Sequence, residues 1–432
     1  MALTLLVASG VALTAGVGSA AAQSSVVGPG ESIQKAINAA DPGDTIVVRG
    51  VHKEDVVIRK DGIKLRGDDA VIEAPARAKA DSPCSKVFGP EAICVLGDVN
   101  LKTGKLTGPR ISDVSISGFT IRGFKQKLNK GEETIMIDVL GARNVTVEGN
   151  HVVGNNGHGI GIDAEGLNNT IENNDLTDNK EAGVSVLQGE RNATVANNTL
   201  TGHADGIFAD KSTGTKILSN DITDSTLVGT TIGNSTGTKI VSNDIKRSGD
   251  TGITIFGPKR TNNDAKVLGN RVSGGPWGIW VANTKGGFIA GNNVHDNCAG
   301  MFFEAFKGEP VGGFEVKANT VENNTRKCPT GIEEEGRAAF SGIGIALLGA
   351  SGMEVTVNHL SGNVPSGPTP VSGGVVVSTN PFLGGSAKPR NNSVTGNLLG
   401  RNKPDIFYDG SGSGNQFRAN YCDSSVPTSL CN

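Results

Sequence analysis

Three aspartates recur at the ends of short apolar runs: Asp138 in IMID, Asp163 in GIGID and Asp210 in IFAD. His158 opens the second run, and His203 and Asp205 precede the third. If the chain folds so that these runs lie side by side, the aspartates form a row. Carboxylates about 5 Å apart suit retaining glycoside hydrolysis, and about 6.5–9.5 Å suits inverting hydrolysis. Unpaired carboxylates at such spacing repel one another, which raises a pKa unless a cation intervenes. Asp138 and Asp163 are therefore also candidates to hold Ca²⁺, an ion that takes several carboxylate oxygens and can bridge the carboxylates of an anionic sugar. In an elimination the ion would acidify the C5 proton, with His158, Lys180 or Lys211 as the base. The competing reading is an exposed turn that is acidic by chance.

Aromatic residues recur in the same runs. Phe208, Trp280 and Phe302 fall at equivalent positions, with Trp277 beside them, and Trp277 and Trp280 are both of the protein's tryptophans. Projecting from one face, they would stack sugar rings on rigid apolar surface, and Lys211 would meet a negative charge there. Loops folding back over these side chains are the alternative.

What would place these residues in rows is a repeat. Over residues 144–420 a pattern apolar-x-x-Asn-x-apolar recurs, followed by a short polar turn and Gly-apolar-x-apolar. Its asparagines are Asn150, Asn174, Asn198, Asn220, Asn243, Asn270, Asn292, Asn319, Asn358, Asn397 and Asn420, and the basic step is 22–24 residues. A fixed period of this length signals a solenoid. Each unit holds two or three short alternating runs and no stretch of helical period, so the unit is a coil of short parallel strands. Stacked coils about 4.8 Å apart set each asparagine on its equivalent, where the side-chain amides can bond in a ladder. Aligning the strand after the glycine predicts one outward column through Asp138, Asp163, Leu187, Asp210 and Glu304. A second runs through Met136, Gly161, Ser185, Phe208, Trp280 and Phe302.

This Asn-rich repeat resembles the right-handed parallel β-helix proteins of the pectate-lyase-like superfamily, in their generic NosD-like form. The fold implied is all-β: a single-stranded right-handed parallel β-helix with an N-terminal capping helix. The opening SIQKAINAADPGDTIVVRG resembles the start of many such proteins, and its apolar face at Ile33, Ala36, Ile37 and Ala40 fits that cap. Gly157-His158-Gly159 is similar to the GHG element of polygalacturonases. The acidic and Arg-x-Lys elements that accompany it there are absent, as is the Asp-Pro-His-Glu element of mannuronan epimerases. The superfamily hosts lyases, hydrolases, esterases, epimerases and non-catalytic proteins, so it implies the fold more narrowly than the activity.

Residues 1–22 read as a signal peptide, with an apolar run ending in Ser19-Ala20-Ala21-Ala22; a membrane anchor is the alternative. Residues 23–432 read as one β-helix domain, interrupted around 74–107, 327–341 and 361–373 by insertions that could wall a groove. A net charge of −3 disfavours nucleic acid and anionic membranes as partners, and no later segment is apolar for long enough to span a bilayer. Six cysteines suit an oxidising compartment. Neighbour pairing gives Cys84–Cys94, Cys298–Cys328 and Cys422–Cys431, the last closing a C-terminal tail at 421–432. The expectation is a secreted or periplasmic monomer, a lyase or hydrolase cleaving an extended acidic polysaccharide along the coil axis. Asp138, Asp163, Asp210 and His158 would do the chemistry, with Phe208, Trp277, Trp280, Phe302 and Lys211 in binding and Ca²⁺ as the cofactor. A non-catalytic binding or adhesion protein of the same fold is the second reading.

Overall fold

The computed structural model describes residues 22–75, 83–85, 89–125, 134–257, 262–328, 339–381 and 387–431. The leader expected at 1–22 lies almost entirely outside them. The rest is a right-handed parallel β-helix. A typical coil has three strands: Thr146–Glu148, then His151–Val153 after the asparagine, then His158–Asp163 after the glycine. The first two kinds build a 25-stranded sheet that bends at the asparagines, and the third builds a separate parallel sheet of fourteen strands. One apolar core runs from Val27 to Ile406 inside the coils.

The asparagines stack as the repeat predicts. From Asn150 to Asn397 each Nδ2 donates to the next asparagine's Oδ1 at 2.9–3.1 Å. The same Oδ1 also accepts the preceding asparagine's backbone N–H, as in Asn243 N–H to Asn270 at 2.9 Å. Each residue before a ladder asparagine has a left-handed backbone, φ 50–66°, and this makes the bend. Phe119 occupies the slot below Asn150, where its N–H donates to Asn150 Oδ1.

A second, unforeseen ladder stands at the next corner: Asn155 to Asn179, then Asn297, Asn324, Asn363 and Asn402 in succession. His203, Ser225, Ser248 and Gly275 interrupt it, and sequence periodicity alone did not reveal it.

The glycine that follows this corner is sterically required. A Cβ at Gly159, Gly183, Gly206, Gly229, Gly252, Gly278, Gly300 or Gly344 would lie 2.3–2.9 Å from the carbonyl oxygen of the next coil's glycine. Tight stacking there turns the residue just before each glycine out of the core, which opens an extra outward position on the fourteen-stranded sheet.

The N-terminal end is capped by the helix Ile33–Ala39, which buries Ile33 and Ile37. Ser32 is its N-cap, accepting from Lys35 N–H, while Glu54 accepts from Ile33 N–H at 2.7 Å. Lys60 Nζ donates to the carbonyls of Ile37, Asn38 and Ala40, closing the helix C-terminus. All three expected disulfides are present, Cys84–Cys94, Cys298–Cys328 and Cys422–Cys431. No helix among the described residues is long and apolar enough to cross a membrane.

Candidate functional site

The outward face of the fourteen-stranded sheet carries three columns. The first, just before the glycines, runs His158, Ala182, Asp205, Val228, Thr251, Trp277 and Ala299. The middle column runs Asp138, Gly161, Ser185, Phe208, Thr231, Thr254, Trp280 and Phe302. The third begins with Leu140 and Asp163 and continues through Asp210, Gly233, Phe256, Ala282 and Glu304.

Asp138 therefore pairs with Gly161, and Leu140 stands where Asp138 was expected, opposite Asp163. The expected Asp138–Asp163 rung is corrected to a diagonal. Its strand has Met136 in the glycine slot, so the alternating run IMIDVL offered two settings and the wrong one was chosen. Ile343–Leu348 carries the same ambiguity: Gly342 and Gly344 both resemble the anchor, and the structure pairs Met301 with Ile345. Asp163 and Asp210 do share a column two rungs apart, about 10 Å.

The open part of this face is a groove of about 440 Å³ lined by His158, Glu181, Asp205, Phe208, Asp210 and Lys211, among others. The imidazole of His158 is buried, and burial holds its pKa down at about 4. Its Nδ1 accepts from Ala182 N–H at 3.2 Å, so the neutral ring carries its proton on Nε2. Asp205 stands two rungs away, across the small Ala182, about 10 Å. Burial pushes its carboxyl up to about 6, hydrogen bonds from Val228 and Thr231 oppose this, and the charges of Glu181 and Asp250 reinforce it. Asp210 accepts from Asn234 Nδ2 at 2.8 Å and faces Lys211 Nζ at 3.5 Å. Phe208 is half-buried in the groove.

Glu181 was missed by the sequence reading because it precedes its strand and belongs to no aligned column. It is exposed, and its backbone carbonyl accepts from Ala204 N–H, one coil from the turn that carries Asp205. His203 is not available for chemistry: its ring nitrogens meet the carbonyls of Asn179 and Leu176 at 3.0 and 2.9 Å. It fills an asparagine's place in the second ladder.

Two expected catalytic residues sit outside the open groove. Asp163 is 7% exposed, and its Oδ1 accepts the N–H of Ala164. Asp138 is 1% exposed, so a cation held there is sealed from any substrate and could not bridge to one.

The aromatic platform is also corrected. Trp277 and Phe302 are 4% and 1% exposed, covered by Phe340, whose ring stacks on Trp277 at 5.0 Å with the planes parallel. Together with Val371, Val376 and the Cys298–Cys328 pair they form an apolar cluster outside the coils. Trp280 stays half-buried at its edge, its Nε1 donating to Glu304 at 2.9 Å. Phe208 and Trp280 are what remains of the platform, three rungs or about 14 Å apart.

Sequence and structure comparisons agree on the architecture. The family described as "Right handed beta helix region" matches residues 39–222 and 205–426. No curated protein matches the sequence. Among solved structures, the Dettilon tailspike protein is 16% identical, with a TM-score of 0.51 over 89% of this chain and 68% of that one. The DFA-IIIase of Arthrobacter chlorophenolicus A6, solved with GF2, is 13% identical, with a TM-score of 0.50 over 87% and 94%. The periplasmic alginate epimerase AlgG is 15% identical, with a TM-score of 0.47 over 87% and 84%.

Proposed function

The chain belongs to the right handed beta helix family, and on that premise we propose that its groove binds an extended acidic polysaccharide and hydrolyses it. The observation that carries this reading is the pair of carboxyl groups in one open groove, Asp205 raised to about 6 beside the exposed Glu181. They stand on neighbouring coils, and direct attack by water on the sugar uses carboxyl groups about 6.5–9.5 Å apart. Asp205 gives its proton to the glycosidic oxygen as the bond to the anomeric carbon breaks. Glu181 takes a proton from the water that attacks that carbon. Asp205 ends as the carboxylate, Glu181 as the acid, and exchange with solvent restores both.

His158 supports this by presenting Nε2–H as a neutral donor to the substrate, and Asp210 accepts from sugar hydroxyls. Phe208 and Trp280 give the chain two apolar contacts along the axis. Two features favour an acidic glycan. Lys211 projects into the groove, and a second depression of about 320 Å³ farther along the same edge is lined by Arg247, Arg326 and Lys327. Solved structures with a TM-score of 0.50 or more include the DFA-IIIase in complex with GF2, which supports a saccharide as the ligand of this fold.

The test is incubation with pectate, alginate, a glycosaminoglycan and a neutral glucan, following reducing ends and the ultraviolet absorbance of a new C4–C5 double bond. Reducing ends without absorbance are expected, from an acidic substrate. Absorbance growth would replace hydrolysis by elimination. Binding without either signal would leave the second reading, a non-catalytic glycan-binding β-helix.

A further inference from the structure

The outward face of the larger sheet carries a row of charges that the groove does not use. In the strands that precede the ladder asparagines, one outward residue per coil stands on its equivalent below. In register these are Thr170, Thr194, Lys216, Lys239, Lys266 and Phe288. Three lysines are therefore stacked on successive rungs, about 4.8 Å apart. In its coil the groove strand Asp205–Asp210 is followed, after a turn at Lys211, by the strand Lys216–Leu218. The two belong to different sheets, so row and groove both follow the axis but lie on different faces of the coil.

Like charges directly opposite each other on neighbouring strands are destabilising. Other cations on this side of the coils are matched. Lys246 meets Asp244 and Arg247 meets Asp224, each at 2.6 Å, and Lys317 meets Glu315 at 3.9 Å. Lys216, Lys239 and Lys266 are exposed, and among the described residues none of them has an ion-pair partner. Asp221 and Asp244 lie past the asparagine bend, at the start of the next strand, and Asp264 comes two residues before Lys266, beside Gly286. The fold itself does not call for lysine in this row, since the same slot holds threonine below and phenylalanine above.

Two residues along each strand runs a half-buried aliphatic row, Leu218, Val241 and Leu268. Evenly spaced cations beside aliphatic groups complement an extended polymer with one negative charge on each ring-shaped unit. Its carboxylates would meet the ammonium groups, and the C–H faces of its rings would meet the aliphatic row. Thr170 and Thr194 prolong the row with hydroxyl donors, and Phe288 ends it with a ring on which a sugar can stack. The six rungs span about 24 Å. Duplex DNA fits less well, because its phosphates recur about every 3.4 Å along each strand, out of step with the rungs.

We propose that Lys216, Lys239 and Lys266, with Leu218, Val241 and Leu268 beside them, dock an acidic polysaccharide along the helix axis, a second contact that holds the polymer without cleaving it. This docking role takes its class of polymer from the groove reading and nothing else, since a protein that cleaves nothing could use the row equally.

The experiment is affinity electrophoresis of the full chain, carrying Asp205→Asn so that the matrix stays intact, through gels containing pectate, a neutral glucan or DNA. Retardation by pectate alone is expected, and it should fade as salt screens the charges. Changing Lys216, Lys239 and Lys266 together to glutamine should weaken it by at least about tenfold, as three exposed ion pairs are lost. The same change at Lys35, Lys64 and Lys102, exposed lysines outside the row, alters net charge equally and should leave retardation in place. With Asp205 restored, the row variant should cleave a short acidic oligosaccharide at the wild-type rate. Its melting temperature without polymer should be no lower than wild type, because like-charge repulsion has been removed. Should the triple variant fail to fold, Lys239→Gln alone reads the row, with an expected loss of about 2–5-fold. Equal losses in the two triple variants overturn the proposal by reducing it to net charge. Undiminished retardation of the row variant overturns it in favour of the groove, and stronger retardation by DNA than by pectate gives the face to nucleic acid. Retardation that depends on the row, in a protein that cleaves no substrate, upholds the docking face and removes hydrolysis instead.

Discussion

Burial drives Asp205 and His158 in opposite directions from their ordinary titration. Asp205, raised to about 6, keeps its proton into mildly acidic pH. If it is the proton donor, kcat/KM falls on the alkaline side above about pH 6, and Asp205→Asn loses about 10²–10⁴-fold in kcat with no residual alkaline limb. A pH–rate profile of both proteins checks this, and full activity in the variant removes the residue from the mechanism. His158 behaves inversely. Its folded pKa of about 4 lies below the unfolded value of 6.5, so the unfolded chain binds more protons between those limits. Folding stability from this residue is then complete above about pH 6.5 and lost as pH falls toward 4, up to about 3 kcal/mol. Asp205 has the opposite slope, losing stability as pH rises from about 4 to 6, so the two partly cancel in the wild type. Denaturant titrations of His158→Gln at pH 4.5 and 7 should show a smaller loss on acidification than the wild type shows.

At the scale of the coil, the asparagine corner and the glycine step set every register. Asn243 donates to Asn270 Oδ1 and to two backbone carbonyls, and its own Oδ1 accepts from both nitrogens of Asn220. Asn243→Ala would orphan buried groups on both neighbouring coils, each costing about 1–3 kcal/mol. A loss of about 3 kcal/mol by chemical denaturation is expected, and a loss below about 1 would mean that the ladder contributes little. Val357 is the reverse case. A β-branched residue at φ 56°, 59% exposed, occupies the left-handed position that Gly, Asn or Ser fills at most other corners. Val357→Asn should stabilise by about 1 kcal/mol, because it relieves that strain and removes no buried contact. The first ladder was legible because its asparagine hardly varies. The second was hidden because four of its positions hold His203, Ser225, Ser248 and Gly275 in place of asparagine.

Across the whole molecule, the insertions decide which part of a uniform solenoid is open. The apolar cap over Trp277 and Phe302 brings Phe340 and Val371 from outside the repeat against the Cys298–Cys328 pair. Replacing both cysteines by serine should loosen this cap, red-shift tryptophan emission and cost about 2–4 kcal/mol. Emission unchanged from wild type would show that the cap holds without its bridge.

By itself the sequence determined the period, the strand type, the asparagine ladder, the capping helix and the cysteine pairs. These depend on residues close in the chain or on a spacing repeated many times, so each coil restates the answer. It could not determine the register of Ile135–Leu140, where Met136 replaces the anchoring glycine, nor of Ile343–Leu348, where two glycines compete. It also could not say that Asp138 is buried while Asp205 and Glu181 line an open groove, or that Phe340 covers Trp277. Those outcomes turn on where non-repeating segments come to rest, and only the folded chain brings such segments against the coils they cover.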